Sequence, residues 1–262
     1  MGQLNFPKDM KLGWAMPLTW PYINSDTHLS LMAMKRPDFI YLETPRGGDI
    51  GEKRQAQVEY GMKEGCTHFI FLDADMVYHP NTLVDLFEVL EDADLAGGLC
   101  YRGYPPYDPL IWHPTEERLL KPFKDYKFGD VVDAGSTGCA CLLVKRQVFE
   151  GLPLPWFTMA VEKVDRDGKE MLLRRGEDTY FTRNATKAGF KLKVMTKYDI
   201  GHLREMQVDR HFWLIHAIIG RLGSWENAII LLNKLNDPKW IESLKPTKKV
   251  ESAEAVQHQP LN

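Results

Sequence analysis

The chain has 262 residues, 44% of them hydrophobic and 26% charged, which is the make-up of a globular protein and excludes a wholly disordered or fibrous chain. Its 33 Lys+Arg against 36 Asp+Glu give a formal net charge of −3, so no bulk electrostatic argument favours nucleic acid or an anionic membrane surface. No run reaches the ~18 apolar residues of a membrane-spanning helix, and the first residues lack the apolar core of a signal peptide; the expected compartment is the cytoplasm. The four cysteines, Cys66, Cys100, Cys139 and Cys141, form no CxxC pair and read as buried free thiols.

In chain order, Phe39 to Leu42 is a short apolar run. Glu52 to Lys63 reads as a helix closed by Gly65. Phe69 to Leu72 is apolar on both faces, as a strand covered by helices is. A helix with Pro80 in its first turn follows, and its Leu83, Leu86, Phe87 and Leu90 fall at i, i+3, i+4, i+7. Leu95 to Leu99 is the next strand. This βαβαβ rhythm predicts a largely parallel, right-handed α/β sheet. Residues 101–127, rich in Tyr, Pro and Trp, read as an ordered loop surface. Val131 to Leu143 holds strand-like runs broken at Ala134–Gly138, and residues 152–176 read as a second long loop. Glu177 to Ala188 is a helix stopped by Gly189, and Leu192 and Val194 alternate as a strand. Beyond Leu203, Val208, Phe212, Ile215, Ile219 and Leu222 form a helical apolar stripe. Ser224 is placed to cap a second helix bearing Ile229, Leu232 and Leu235. From Lys245 the chain is polar and aperiodic, which predicts disorder over 245–262.

The strongest chemical feature is the run from His68 to Met76. It is an apolar strand followed by Asp73 and Asp75. Ligands of α/β sheets bind at the carboxyl ends of strands, and carboxylates at i and i+2 leaving a strand can face the same way. Such a pair suits a hard cation, Mn²⁺ or Mg²⁺, that bridges phosphate oxygens. Glu177 and Asp178 open a helix just after the basic Arg174 and Arg175; they read either as first-turn acids favoured by the helix dipole or as a general base beside a basic rim. His202, just past the last strand, is either structural or a third metal ligand, since imidazole suits Mn²⁺ better than Mg²⁺.

The order of these motifs resembles a known family. Pro17-Leu-Thr19, a helix bearing Arg54-Gln55, Asp73-Ala-Asp75, Gly135–Gly138, Pro155-Trp156-Phe157, Gly176-Glu177-Asp178 and Gly201-His202 follow one another over about residues 12–205. The pattern is similar to GT-A-fold glycosyltransferases of the family 2 type. The resemblance implies an α/β fold, a single GT-A-type, Rossmann-like catalytic domain over 1–204 with a mainly parallel central sheet. Its nucleotide-sugar half covers about 12–100 and its acceptor half about 101–204. A C-terminal helical extension follows over 205–244. It implies a nucleotide-diphosphate sugar donor, a UDP- or GDP-sugar, and an acceptor hydroxyl. Pro17, Thr19, Glu43, Arg54 and Asp73 would hold the nucleotide. Asp73, Asp75 and His202 would hold Mn²⁺ or Mg²⁺. Asp178 would be the base of an inverting transfer, with Glu177 beside it. Gly138, Trp156 and Phe157 would shape the acceptor side.

Three rival readings stand beside this one. A haloacid-dehalogenase-type phosphohydrolase also places DxD after an apolar strand, but there the motif opens the domain, whereas here two elements precede it. A sugar nucleotidyltransferase needs a Gly-rich basic loop, and residues 12–20 hold Gly13 alone. A retaining transferase uses the same fold without a protein base. For the C-terminal stripe, packing on the catalytic domain or on a second subunit is the leading expectation, with peripheral membrane contact the minor one.

Overall fold

β1 (Leu12–Ala15) is buried along its length and pairs in parallel with β2 (Phe39–Leu42) on one side and β3 (His68–Leu72) on the other. The structure is a computed structural model that describes residues 6–7, 9–19, 22–104, 107–113, 123, 126–166 and 169–204, with Arg221, Leu222, Asn227, Ile230, Leu231 and Lys234 beyond them. α1 (Ser25–Ala33) joins β1 to β2, and the Asn24 side chain caps it by accepting the Asp26 N–H. α2 (Ile50–Lys63) joins β2 to β3. It starts in a reciprocal capping box, in which Asp49 accepts the Glu52 N–H and Glu52 accepts the Asp49 N–H. It ends at Gly65, whose φ of +76° closes the last turn.

β4 (Met76–Val77), α3 (Thr82–Leu90) and β5 (Leu95–Cys100) follow. The α3 stripe of Leu83, Leu86, Phe87 and Leu90 is buried as its spacing predicts. Pro80 lies just ahead of the helix rather than within it, and its carbonyl accepts the Lys35 N–H at 2.8 Å. β6 (Ile111–Trp112) pairs with β8 (Ser136–Thr137). β7 (Val131–Asp133) lies antiparallel on β12 (Leu192–His202). Between them in sequence come β9 (Cys141–Lys145), α4 (Arg146–Glu150), β10 (Ala160–Arg166), β11 (Lys169–Arg175) and α5 (Glu177–Lys187).

The eight-stranded sheet runs β2-β1-β3-β9-β5-β12-β4, with β7 on β12. β2, β1, β3, β5 and β12 share one direction, as the βαβ rhythm predicts; β9 is inserted antiparallel between β3 and β5. β3 shows why its run is apolar on both faces. Phe69 and Phe71 pack on one side with Leu42, Val58 and Phe149. Ile70 and Leu72 pack on the other with Leu12, Met76, Leu83 and Leu86. All four cysteines are buried and free, as read from their spacing.

Three elements differ from the sequence expectation. Part of residues 152–176 is an antiparallel hairpin, β10 with β11, rather than loop throughout. Its strands are rich in charge, Val161 and Leu172 are exposed and the buried Arg175 is polar, so no apolar stripe betrays them. The last strand runs on past Val194 to His202 through a register shift between Met195 and Ile200; His202 is its final residue, not one beyond it. The 101–127 region contains β6.

The chain divides into two compact units, Met1–Arg204 and Glu205–Asn262. In the second, the six described positions are helical. Val208, Phe212, Ile215, Ile219, Ser224, Ile229, Leu232, Leu235 and the tail from Lys245 lie outside the described residues. Among the described residues, no helix is long and apolar enough to cross a membrane.

Candidate active site

The carboxyl end of β3 delivers Asp73. Its backbone N–H donates to the Ala140 carbonyl at 3.2 Å. The Tyr78 hydroxyl donates to the carbonyls of Asp73 and Ala140, both at 2.9 Å, and so fixes the turn that carries Asp73 and Asp75. The Asp73 carboxylate meets Arg54 of α2, whose Nη2 donates to Oδ1 at 2.8 Å. Arg54 is only 2% exposed. Its other terminal nitrogen, Nη1, donates to Glu177 Oε1 in the first turn of α5. One guanidinium therefore joins a strand end to a helix start far away in sequence. Burial works against this cation, but Asp73 foremost, with Glu177 and Asp178, holds it above its ordinary value.

α2 and α5 approach closely at their N-termini because α2 carries Gly51 there. A Cβ on Gly51 would lie 3.2 Å from the Phe157 carbonyl and 3.3 Å from Glu177 Cβ. Asp178, the next residue, sends Oδ1 to the Thr179 N–H at 2.6 Å. Its Oδ2 faces Gly138, where a Cβ would lie 3.3 Å away. The Gly138 loop is held in that place by Thr182, whose hydroxyl donates to the Thr137 carbonyl at 2.8 Å. Glu177 and Asp178 both titrate above the usual carboxylate range. Burial is the main cause for each, and Arg54 offsets it only in part.

Asp75 and His202 are brought together by the pairing of β4 with β12, in which His202 stands opposite Met76. His202 Nε2 lies 3.4 Å from Asp75 Oδ2, and its Nδ1 lies 2.9 Å from the Tyr101 carbonyl. A carbonyl only accepts, so Nδ1 carries a proton and donates to it. Arg204 Nη1 also donates to Asp75 Oδ2. Burial opposes ionisation of Asp75, but the hydrogen bonds from His202 and Arg204 prevail and hold it down at about 2. The same bond to Asp75 raises His202 above its ordinary value.

Among the described residues, no group of three or more His, Cys, Asp or Glu is gathered as a metal cage. Asp73, expected as a metal ligand, has its Oδ1 on Arg54. Asp75 and His202 do fit a divalent cation on their own. With Nδ1–H tied to a carbonyl, Nε2 is the nitrogen left for a cation: the proton it shares with Asp75 would give way to the metal, leaving the neutral tautomer that metal-binding histidines adopt. An imidazole with a carboxylate is a donor pair that Mn²⁺ accepts.

A cavity of about 510 Å³ opens at the carboxyl ends of β1 and β2, lined by Thr19, Glu43, Thr44, Arg46 and Lys53 among others. Buried Gln57 holds one lining residue, Thr44, in place. Gln57 Nε2 donates to the Leu42 carbonyl at 2.9 Å and to Thr44 Oγ1 at 3.1 Å, and the Thr44 hydroxyl donates to the Met16 carbonyl at 2.7 Å. Thr19 and Glu43 thus line one cavity. Pro17 is buried and is not among the residues that line it. Arg54, expected at the same site, points instead to the acids.

Trp156 and Phe157, which the resemblance places on the acceptor side, are 8% and 4% exposed. Trp156 Nε1 donates to the Phe149 and Leu152 carbonyls at 3.1 and 3.2 Å. Phe157 packs between Phe71 and Phe181, with centroids 5.6 and 4.7 Å away. They are core residues that brace the start of α5. Sequence reasoning also passed over Arg204, Lys53 and Gln57. Lys53 had a readable signal, one residue before Arg54 on the same helix, whereas the other two depend on contacts that only the fold creates.

No family model matches the sequence, and no curated protein matches it. Solved structures do resemble the fold. Crystalline A197 from STIV aligns with a TM-score of 0.50 at 15% identity, over 75% of this chain and 86% of that one. GalNAc-T7, solved with UDP, GalNAc and Mn²⁺, aligns at 0.49 and 12% identity, over 76% of this chain and 44% of that one. S. aureus TarS 1–349, solved with UDP-GlcNAc, aligns at 0.45 and 12% identity, over 76% and 60%. This chain therefore spans less than two thirds of the latter two. The likeness to A197 is one of fold.

Proposed function

We propose that the chain is a metal-dependent glycosyltransferase that moves a sugar from a nucleoside-diphosphate sugar to an acceptor hydroxyl with inversion. The observation that carries this reading is the Arg54 bridge. It fixes the acid at the end of β3 to the first turn of α5, so the turn bearing Asp75 and the acid Asp178 are held to one rigid frame. Thr19 and Glu43 line a cavity within the range of small-molecule sites, and Arg46 and Lys53 there offer positive charge to a diphosphate. Asp75 and His202 would hold the divalent cation. Bound there, it would stabilise negative charge on the departing diphosphate.

Asp178 is the better base of the adjacent acids. Glu177 is committed to Arg54, while Asp178 Oδ2 looks onto the Gly138 loop. A carboxyl held above its ordinary range by burial is a stronger base towards a hydroxyl proton. Glu177 acts as a positioning residue through Arg54.

The test is a donor screen of UDP-, GDP- and dTDP-sugars with Mn²⁺, followed by anomeric analysis of the product and by two isosteric variants. Asp178→Asn should lower kcat by about 10²–10⁴-fold with nucleotide affinity unchanged, and Glu177→Gln should lower it less. Full activity in Asp178→Asn, with Glu177→Gln inactive, would reverse the assignment. Retained anomeric configuration would overturn inversion.

A further inference from the structure

We infer that Arg204 is a resident counter-ion of the Asp75 carboxylate, which a divalent cation must displace in order to bind. The inference rests on reading Asp75 and His202 as metal donors. The geometry is local and built. β12 ends at His202, and the next N–H, that of Leu203, donates to the Asp75 carbonyl at 2.8 Å. This clamps the chain beside Asp75 and leaves Arg204 one residue on. Arg204 Nη1 donates to Asp75 Oδ2, the same oxygen that faces His202 Nε2 at 3.4 Å. A guanidinium nitrogen thus stands on the oxygen that a cation shared by Asp75 and His202 would use. Arg204 Nη1 also donates to the Leu203 carbonyl at 3.0 Å, which keeps the guanidinium folded back onto this turn.

The opposing wall is shaped to admit it. A Cβ on Gly103 would come within 2.3 Å of Arg204 Nε and 2.8 Å of His202 Cε1. Only a residue without a side chain lets that backbone lie against both groups. The pair can also open. Asp75 and Arg204 side chains are 43% and 42% exposed, so water can take over either charge, and a half-exposed ion pair is worth about 0.2–1 kcal/mol. The structure thus contains a positive charge that competes for the cation's place without blocking it. Arg204 sets metal affinity, and it does so before any nucleotide is bound.

The measurement is a calorimetric titration of MnCl₂ into the full chain at low ionic strength, with no nucleotide present. Arg204→Gln removes the charge from an exposed position and should bind Mn²⁺ about 1.4- to fivefold more tightly than the parent, the fold-change equivalent of such a pair. Arg204→Lys should fall between the two, because it keeps the charge without the planar fork. Raising the salt should shrink the ratio between parent and Arg204→Gln, since an exposed pair is screened. Asp75→Asn should lose the binding. Equal or weaker Mn²⁺ binding in Arg204→Gln, with Asp75→Asn still inactive in the titration, would overturn the counter-ion role and leave the metal reading standing. Unaltered binding in Asp75→Asn would overturn both.

Discussion

Replacing Arg54 by Met should destabilise the protein by about 3–5 kcal/mol at pH 8, the usual cost of removing one partner from a buried ion pair. The side chain is 2% exposed and bridges Asp73 and Glu177, with Asp178 close by. Without it, three carboxylates share one end of the sheet and lose the guanidinium that bridges two of them. A loss of that size is a large share of the 5–15 kcal/mol that holds a typical domain together. The penalty also has a sign in pH. Glu177 and Asp178 already stand above the ordinary carboxylate range, and removal of Arg54 raises them further. An acid whose folded pKa exceeds its unfolded value destabilises the fold above that folded pKa and is relieved as pH falls through it. Urea denaturation of parent and Arg54→Met should therefore show a gap that is widest at pH 8 and narrows towards pH 5. Arg54→Lys should recover part of the stability but lose the two-armed bridge. A gap below about 1 kcal/mol, or one that is flat in pH, would refute the view that this guanidinium neutralises the cluster.

The other expected outcomes concern packing and titration elsewhere. Trp156→Ala should cost about 3–5 kcal/mol by denaturant titration and leave the acceptor KM unchanged, because the ring is a core brace; a higher KM at full stability would return it to the acceptor side. Burial, with Lys145 adding to it, pushes His68 down to about 4. A histidine depressed in the fold supports stability above its unfolded value near 6.5 and loses that support as pH falls towards 4. The Tm of His68→Gln should accordingly decline less than the parent's between pH 7 and pH 4; parallel curves would show that His68 is as hydrated as in the unfolded chain.

Much of this arrangement is visible in the sequence, and what is not has a physical cause. β3 is legible because it is buried on both faces, so its run of Phe, Ile, Phe and Leu has no polar break. Asp73 and Asp75 are legible because a strand end in an α/β sheet is where ligands sit. The partner of Arg54 is not, since Glu177 is 123 positions away and nothing local links them. Trp156 and Phe157 illustrate a second limit. Aromatic residues in a Pro-rich loop suit sugar stacking and core packing equally, and only the tertiary neighbours Phe149 and Phe181 decide between them. β10 and β11 show a third, because strands with exposed charged and apolar side chains give no periodic burial signal.

The inverted strand β9 governs the order in which this sheet can be completed. As the chain leaves the ribosome, β3 appears with β1 to pair on one side, but its other edge stays open until residue 141. β5 has no neighbour at all in that interval, since its two partners are β9 and the still later β12. β3 therefore waits with one edge open for about seventy residues of translation and β5 with both edges open for about forty, at ~5–20 residues per second. Open strand edges invite association with other chains. Cys141–Lys145 closes both at once, bonding β3 along one edge and β5 along the other. A nascent chain stalled just short of Cys141 is thus more open to aggregation than one five residues longer, in which of these edges the β12-facing edge of β5 alone still waits.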